Sequence, residues 1–243
     1  MIEIKNIDKS FKDKNILTDI SLKIKTGAST AIIGQSGVGK SVLLKHLNGL
    51  IAPDSGEVLI DRKVINRLSF NDLQNVRKKM SMVFQFGALF DSLSIKDNIL
   101  IALDHLTNLS DKEKNERINF SLSSVNLNNI DDLYPSDISG GMKKRVGIAR
   151  AIAIKPKYIL YDEPTTGLDP ITTDKIITLM KKVRKNNELT SVVVTHEMKI
   201  VNEFVDQVIM LKEGKIIFDG KPEELNSTKS KYIKYFILGK DIN

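Results

Sequence analysis

Cysteine is absent from the 243 residues, which excludes disulfides and thiolate chemistry and fits a reducing compartment. No uninterrupted apolar run approaches the roughly 18 to 20 residues that cross a bilayer as a helix, so membrane involvement is expected to come through other subunits. The first residues, Met1-Ile2-Glu3-Ile4-Lys5, alternate like a strand and lack the basic start and apolar centre of a secretory signal. A chain that stays in the cytosol is the expectation. No repeat or low-complexity tract is present. The net charge is +7, but basic residues are spread along the chain and interleaved with acids, with no aromatic-basic stacking pattern. They read mainly as solvated surface, and no nucleic-acid partner is expected. Lys143-Lys144-Arg145 is the one compact basic cluster.

What is present is an ordinary 41% of hydrophobic residues, enough for one large or two modest packed domains. Strand character covers 2–7, the strict alternation of Ile20, Leu22 and Ile24, then 28–33 and 57–60. Alternation of this kind predicts half-buried antiparallel strands. Between about 95 and 137 the pattern becomes helical, notably at 96–103 and 112–127. From there strands and helices alternate: 158–162, 172–185, 190–195, 208–211 and 215–218. Such an order predicts a mainly parallel sheet flanked by helices. The segment 221–243 is a polar tail with an apolar stripe at Tyr232, Tyr235, Phe236 and Leu238.

The chemistry concentrates in three places. Gly34-Gln35-Ser36-Gly37-Val38-Gly39-Lys40-Ser41 fits the phosphate-loop pattern G-x-x-x-x-G-K-[ST] between an apolar strand end and an amphipathic helix. In that pattern the glycines let backbone N–H groups close round phosphates, Lys40 reaches the β- and γ-oxygens, and the Ser41 hydroxyl ligates Mg²⁺. The run Tyr158-Ile159-Leu160-Tyr161 ends in Asp162-Glu163, where a parallel sheet offers its ligands. Asp162 would hold Mg²⁺ and Glu163 would polarise an attacking water. Ile138-Ser139-Gly140-Gly141-Met142 opens a helix with a serine cap and bare N–H groups, a second anion site.

The ordered set of phosphate loop, Gln85, Ser139-Gly140-Gly141, Asp162-Glu163, Gly167-Leu168-Asp169 and Thr195-His196 resembles the ATPase subunit of ATP-binding cassette (ABC) transporters over about 1–220. The resemblance implies a P-loop NTPase of the α/β class: a mainly parallel core sheet, an antiparallel β subdomain and an inserted helical subdomain at about 95–155. It implies a head-to-tail homodimer closing on ATP and Mg²⁺, each phosphate loop facing its partner's Ser139-Gly140-Gly141. Carried over by position, Gln85 contacts the metal or water and senses the membrane subunit. His196 contacts the γ-phosphate, Asp169 sits at the dimer contact and Phe11 stacks on adenine. For Asp169 a plain turn, and for Phe11 a core or surface role, are the alternatives.

Met142 stands where this family often has glutamine. With Phe84-Gln85-Phe86-Gly87-Ala88-Leu89-Phe90-Asp91-Ser92-Leu93 and the Lys45-bearing helix, it narrows the likeness to ATPases of Mce-type (Mla) phospholipid transporters. The partners implied are an MlaE-like integral membrane permease, an MlaB-like cytosolic subunit and an MCE-domain lipid-binding subunit, with phospholipid as cargo. The location implied is the cytoplasmic face of the bacterial inner membrane, peripheral, with the tail from 221 contributing subunit contacts. The alternatives are the ATPase of a polar-solute importer and a soluble ATPase without a permease.

Overall fold

Half-buried alternating strands build one sheet, and strands buried at every residue lie in the middle of another. The computed structural model of the chain describes residues 1–240; the end of the expected tail, 241–243, lies outside them. In chain order the elements are β1 (Ile2–Phe11), β2 (Lys14–Ile24), β3 (Ser29–Ile33), α1 (Lys40–Leu47), β4 (Ser55–Ile60), β5 (Lys63–Val64), α2 (Phe70–Arg77) and β6 (Met80–Val83). There follow α3 (Ile95–Leu106), α4 (Asp111–Ser124), α5 (Gly140–Ala153), β7 (Tyr158–Asp162), α6 (Pro170–Asn187) and β8 (Thr190–Val194). The chain then runs through α7 (Met198–Phe204), β9 (Gln207–Lys212), β10 (Lys215–Gly220), α8 (Pro222–Asn226) and α9 (Lys231–Ile237). It forms two compact units, residues 1–77 with 190–243, and residues 78–189.

In the first unit the alternating strands pair antiparallel in the order β2-β1-β4-β5. Ile2, Ile4 and Ile7 are all buried although Ile4 and Ile7 are an odd number of residues apart. A register shift between them, with Asn6 in the left-handed region at φ 45, turns the second half of β1 so that both isoleucines reach the same face. The expected strands at 2–7 and 20–24 are thereby longer than their alternation suggested, and Lys12, at φ 52, closes the hairpin between them. The strands β3 and β8 are buried at every residue, their leading serine and threonine included. They pair parallel, Ile32 opposite Val194, and β9 joins β3 from the other side, also parallel.

In the second unit β6 and β7 pair parallel, Val83 opposite Tyr161. The helices α3, α4 and α5 form its helical part. Ser94 and Ser110 cap the N-termini of α3 and α4, Ser110 in a capping box with Glu113. Asn98 on α3 is fully buried and holds the segment leading into that helix. Its amide accepts from the Phe90 N–H at 2.8 Å and donates to the carbonyls of Phe90, Leu93 and Ser94 at 3.0, 3.1 and 3.0 Å. Leucine has the same branched framework of heavy atoms, is bulkier, and would leave these groups unmatched. Asn98→Leu is expected to lower unfolding free energy by about 2–4 kcal/mol, read by chemical denaturation.

Candidate functional site

The expected site residues divide between the units. Phe11, the loop 34–41 and His196 belong to the first; Gln85, Ser139-Gly140-Gly141, Asp162, Glu163 and Asp169 belong to the second.

In the first unit β3 runs straight into the phosphate loop. Gly34, at φ 145, passes so close to β9 that an added Cβ would lie 2.5 Å from the Leu211 carbonyl oxygen. Gly39, at φ 101, is the N-cap of α1, and its Cβ would lie 2.9 Å from the Ile16 carbonyl oxygen. Neither position tolerates a side chain, so the backbone itself forms the concavity. Lys40 opens α1 and is buried, its ammonium donating to the carbonyls of Gly34 and Gln35 at 2.8 Å each. Ser41 follows on the same turn, and the first turn of α1 carries no acidic side chain to oppose an anion. Gln35, Ser36 and Gly37 are exposed, and Val38 is half-buried. Because β3 and β8 are parallel neighbours, β8 delivers Thr195 and His196 to the same sheet edge. The Thr195 N–H donates to the Ile32 carbonyl at 3.3 Å, and His196 is exposed just beyond it. Phe11, 46% exposed at the end of β1, has the Lys9 ammonium 5.3 Å from its ring centroid, and Lys9 is ion-paired with Asp54 at 2.6 Å.

The second unit repeats this logic. Parallel pairing of β6 with β7 places Gln85, just past β6, and Asp162-Glu163, at the end of β7, along one sheet edge. Glu163 has φ 49, an uncommon conformation for a side-chain-bearing residue. The Thr166 hydroxyl donates to its Oε2 at 3.1 Å. The turn after Gln85 is fixed to α5 by Arg150, whose guanidinium donates to the carbonyls of Gly87 and Ala88 at 2.7 and 2.8 Å. Ser139 caps α5 by accepting from the Met142 N–H at 3.3 Å, and both Ser139 and Gly140 face solvent. Asp169 caps α6; the Thr172 hydroxyl and N–H hold its carboxyl below the usual range.

The basic cluster is not a solvated surface patch. Lys144 is buried and its ammonium donates to the Thr166 carbonyl at 2.6 Å, while Arg145 donates to the Asn126 carbonyl at 3.3 Å. Sequence inspection assigned no role to Lys144, Thr166 or Arg150. The available signal was Lys144 and Arg150 falling six residues apart on the helix that Ser139 caps, but burial is what separates them from their solvated neighbours.

The loop's glycine cradle, its buried cation and the hydroxyl of Ser41 suit a nucleotide triphosphate; in the second unit the carboxylate of Asp162 is of the oxygen-donor type that suits a hard divalent cation. No helix of the described residues is long and apolar enough to cross a membrane. The ABC transporter family matches residues 17–166. The chain is 38% identical over 239 residues to the intermembrane phospholipid transport system ATP-binding protein MlaF of Haemophilus influenzae, covering 98% of this chain and 90% of that protein. It is 41% identical over 225 residues to the methionine import ATP-binding protein MetN of Staphylococcus haemolyticus, covering 91% of this chain and 66% of that protein. A dimeric ATP-binding cassette solved in a post-hydrolysis state with ADP and Pi matches with a TM-score of 0.84 at 34% identity, over 91% of this chain and 99% of that one. On motif order, fold and these likenesses together, the chain is an ATP-hydrolysing subunit that belongs to the ABC transporter family.

Proposed function

We propose that this ATPase energises phospholipid transport between bacterial envelope membranes, as a homodimer bound peripherally to the cytoplasmic face of an MlaE-like permease. An MCE-domain lipid-binding subunit and an MlaB-like cytosolic subunit complete the assembly. The observation that carries this reading is the extent of the MlaF likeness, which takes in 98% of this chain and 90% of that protein. A second reading, an amino-acid-type importer, is favoured by the slightly higher identity to MetN, 41% against 38%. That match leaves about a third of MetN without a counterpart here, which weighs against it.

In this reading Phe11 stacks on adenine, and the backbone of residues 34–39 with Lys40 and Ser41 grips the phosphates. Ser41, Asp162 and Gln85 would hold Mg²⁺, which would neutralise phosphate charge. Glu163 polarises the attacking water and His196 donates to the γ-phosphate. Ser139 and Gly140, solvent-facing at the N-terminus of α5, and the half-buried Gly141 serve the nucleotide of the partner subunit, with Asp169 at the dimer contact.

The permease engages the second unit. There a cleft of about 510 Å³ is lined by Met80, Met82, Phe84, Phe90, Ile101 and Leu106. Phe86 is 77% exposed and Phe90 53% exposed on the segment that Arg150 and Asn98 hold. An apolar-faced helix of the permease fits such a surface, and the loop after Gln85 forms its rim. Phe86→Asp with Phe90→Asp is expected to abolish copurification of the permease while ATP binding by the isolated chain stays within about twofold of wild type.

The deciding experiment is mass spectrometry of proteins and lipids recovered with a tagged copy from detergent-solubilised native membranes. Recovery of a permease, an MCE-domain protein and phospholipid supports lipid transport. Recovery of a permease with a soluble solute-binding protein supports the importer, and recovery of cytosolic proteins alone overturns both.

A further inference from the structure

Lys144 sits in the second turn of α5 and is only 6% exposed. An ammonium has three donors, and among the described residues Lys144 meets one acceptor, the Thr166 carbonyl at 2.6 Å. Burial pushes its pKa down to about 8, and the attraction of the Glu163 carboxylate offsets only part of that. The folded state therefore binds this proton less well than the unfolded chain does, so at neutral pH the charge weakens the fold. A methionine of similar length would bury with no such penalty.

The contacts say where the charge acts. Thr166, whose carbonyl Lys144 holds, donates its hydroxyl to Glu163 Oε2 at 3.1 Å and its N–H to the Glu163 carbonyl at 3.4 Å. Glu163 itself stands at φ 49, and Thr165 between them is 5% exposed. Lys144 thus braces a tight turn whose other end carries the strand-end carboxylate. It does so from the helix that begins at Ser139, so any displacement of that helix is passed to Glu163 through two hydrogen bonds.

We propose that Lys144 is a positioning residue for ATP hydrolysis: its buried ammonium pins the Thr166 carbonyl, and through the Thr166 hydroxyl fixes the orientation of the Glu163 carboxylate. This rests on Glu163 being the group that polarises the attacking water. It also ties the solvent-facing end of α5 to the strength of that group, since Lys144 lies on the helix that Ser139 caps.

The test measures steady-state ATPase kinetics of the full transporter complex carrying Lys144→Met, Lys144→Arg or Glu163→Gln, with Tm of each isolated chain at pH 7. Lys144→Met is expected to lower kcat about tenfold with KM for ATP within about twofold, because misorienting the carboxylate leaves nucleotide binding intact. Its Tm is expected to equal or exceed that of the wild type, a sign that a purely structural role does not produce. Lys144→Arg, which keeps the cation and a donor, is expected to restore kcat to within about threefold. An unchanged kcat in Lys144→Met overturns the proposal, as does a fall in kcat and Tm together without rescue by arginine. Turnover persisting in Glu163→Gln removes the reading beneath it, whatever the Lys144 variants do.

Discussion

Glu163→Gln is expected to lower ATP turnover by at least about 100-fold while leaving ATP affinity within about threefold, because a positioned general base contributes on the order of 10²–10⁴. The substitution suits the local geometry. Glutamine keeps the length and planarity of the side chain, and its carbonyl oxygen still accepts from the Thr166 hydroxyl, which lies 3.1 Å from Oε2. The left-handed conformation at φ 49 is as available to glutamine as to glutamate. What disappears is the capacity to take a proton from water as the γ-phosphate departs. Phosphoryl transfer depends mostly on positioning and charge neutralisation, so ATP should remain bound and the dimer should accumulate in its closed form. Single-turnover hydrolysis and ATP binding measured on the same preparation decide the matter. Turnover within about threefold of wild type would assign the base elsewhere, with His196 the next candidate by its exposed place beyond β8.

The parts of this site that could be read from sequence are those in which chemistry and conformation come from neighbouring residues. The phosphate loop is one: the turn that Gly34 and Gly39 permit, the cation of Lys40 and the hydroxyl of Ser41 lie within eight positions. The acid pair is another, because four buried residues of β7 announce a strand that must end there. Longer-range features left weaker traces. Strict alternation marked Ile20, Leu22 and Ile24, but the bulge at Asn6 that keeps Ile4 and Ile7 on one face breaks the period a reader relies on. The β1–β2 turn contains no glycine, its left-handed residue being Lys12, so nothing local signalled a hairpin. Lys144 shows the same limit for charge. In sequence it is the middle of a basic triplet, and only the packing of α5 against the turn at Thr166 separates a buried ammonium from two neighbours that stay partly exposed. Helical spacing gives the direction of a side chain but not the depth of the surface it meets.

Lys40→Ala is expected to weaken ATP binding by about 10- to 100-fold, since a charge-assisted hydrogen bond to phosphate contributes roughly 1.5–3 kcal/mol. The ammonium is already confined, buried against the carbonyls of Gly34 and Gln35 at 2.8 Å each, so little side-chain freedom remains to be lost when phosphate is bound. Arginine should not substitute. Its planar fork is larger than an ammonium, and the concavity is walled by the close approach of Gly34 to β9 and of Gly39 to β2. A folding defect would be a competing explanation for lost binding, and the geometry separates the two. Gln35 is exposed, so water can satisfy its carbonyl once the lysine is gone, and α1 is anchored by Leu43 and Leu44, which are buried and untouched by the substitution. The loss is therefore expected in calorimetric ATP titration with Tm shifted by no more than a few degrees. Equal affinity in wild type and Lys40→Ala would overturn the assignment of this loop to the nucleotide phosphates, and with it the reading of every residue placed around them.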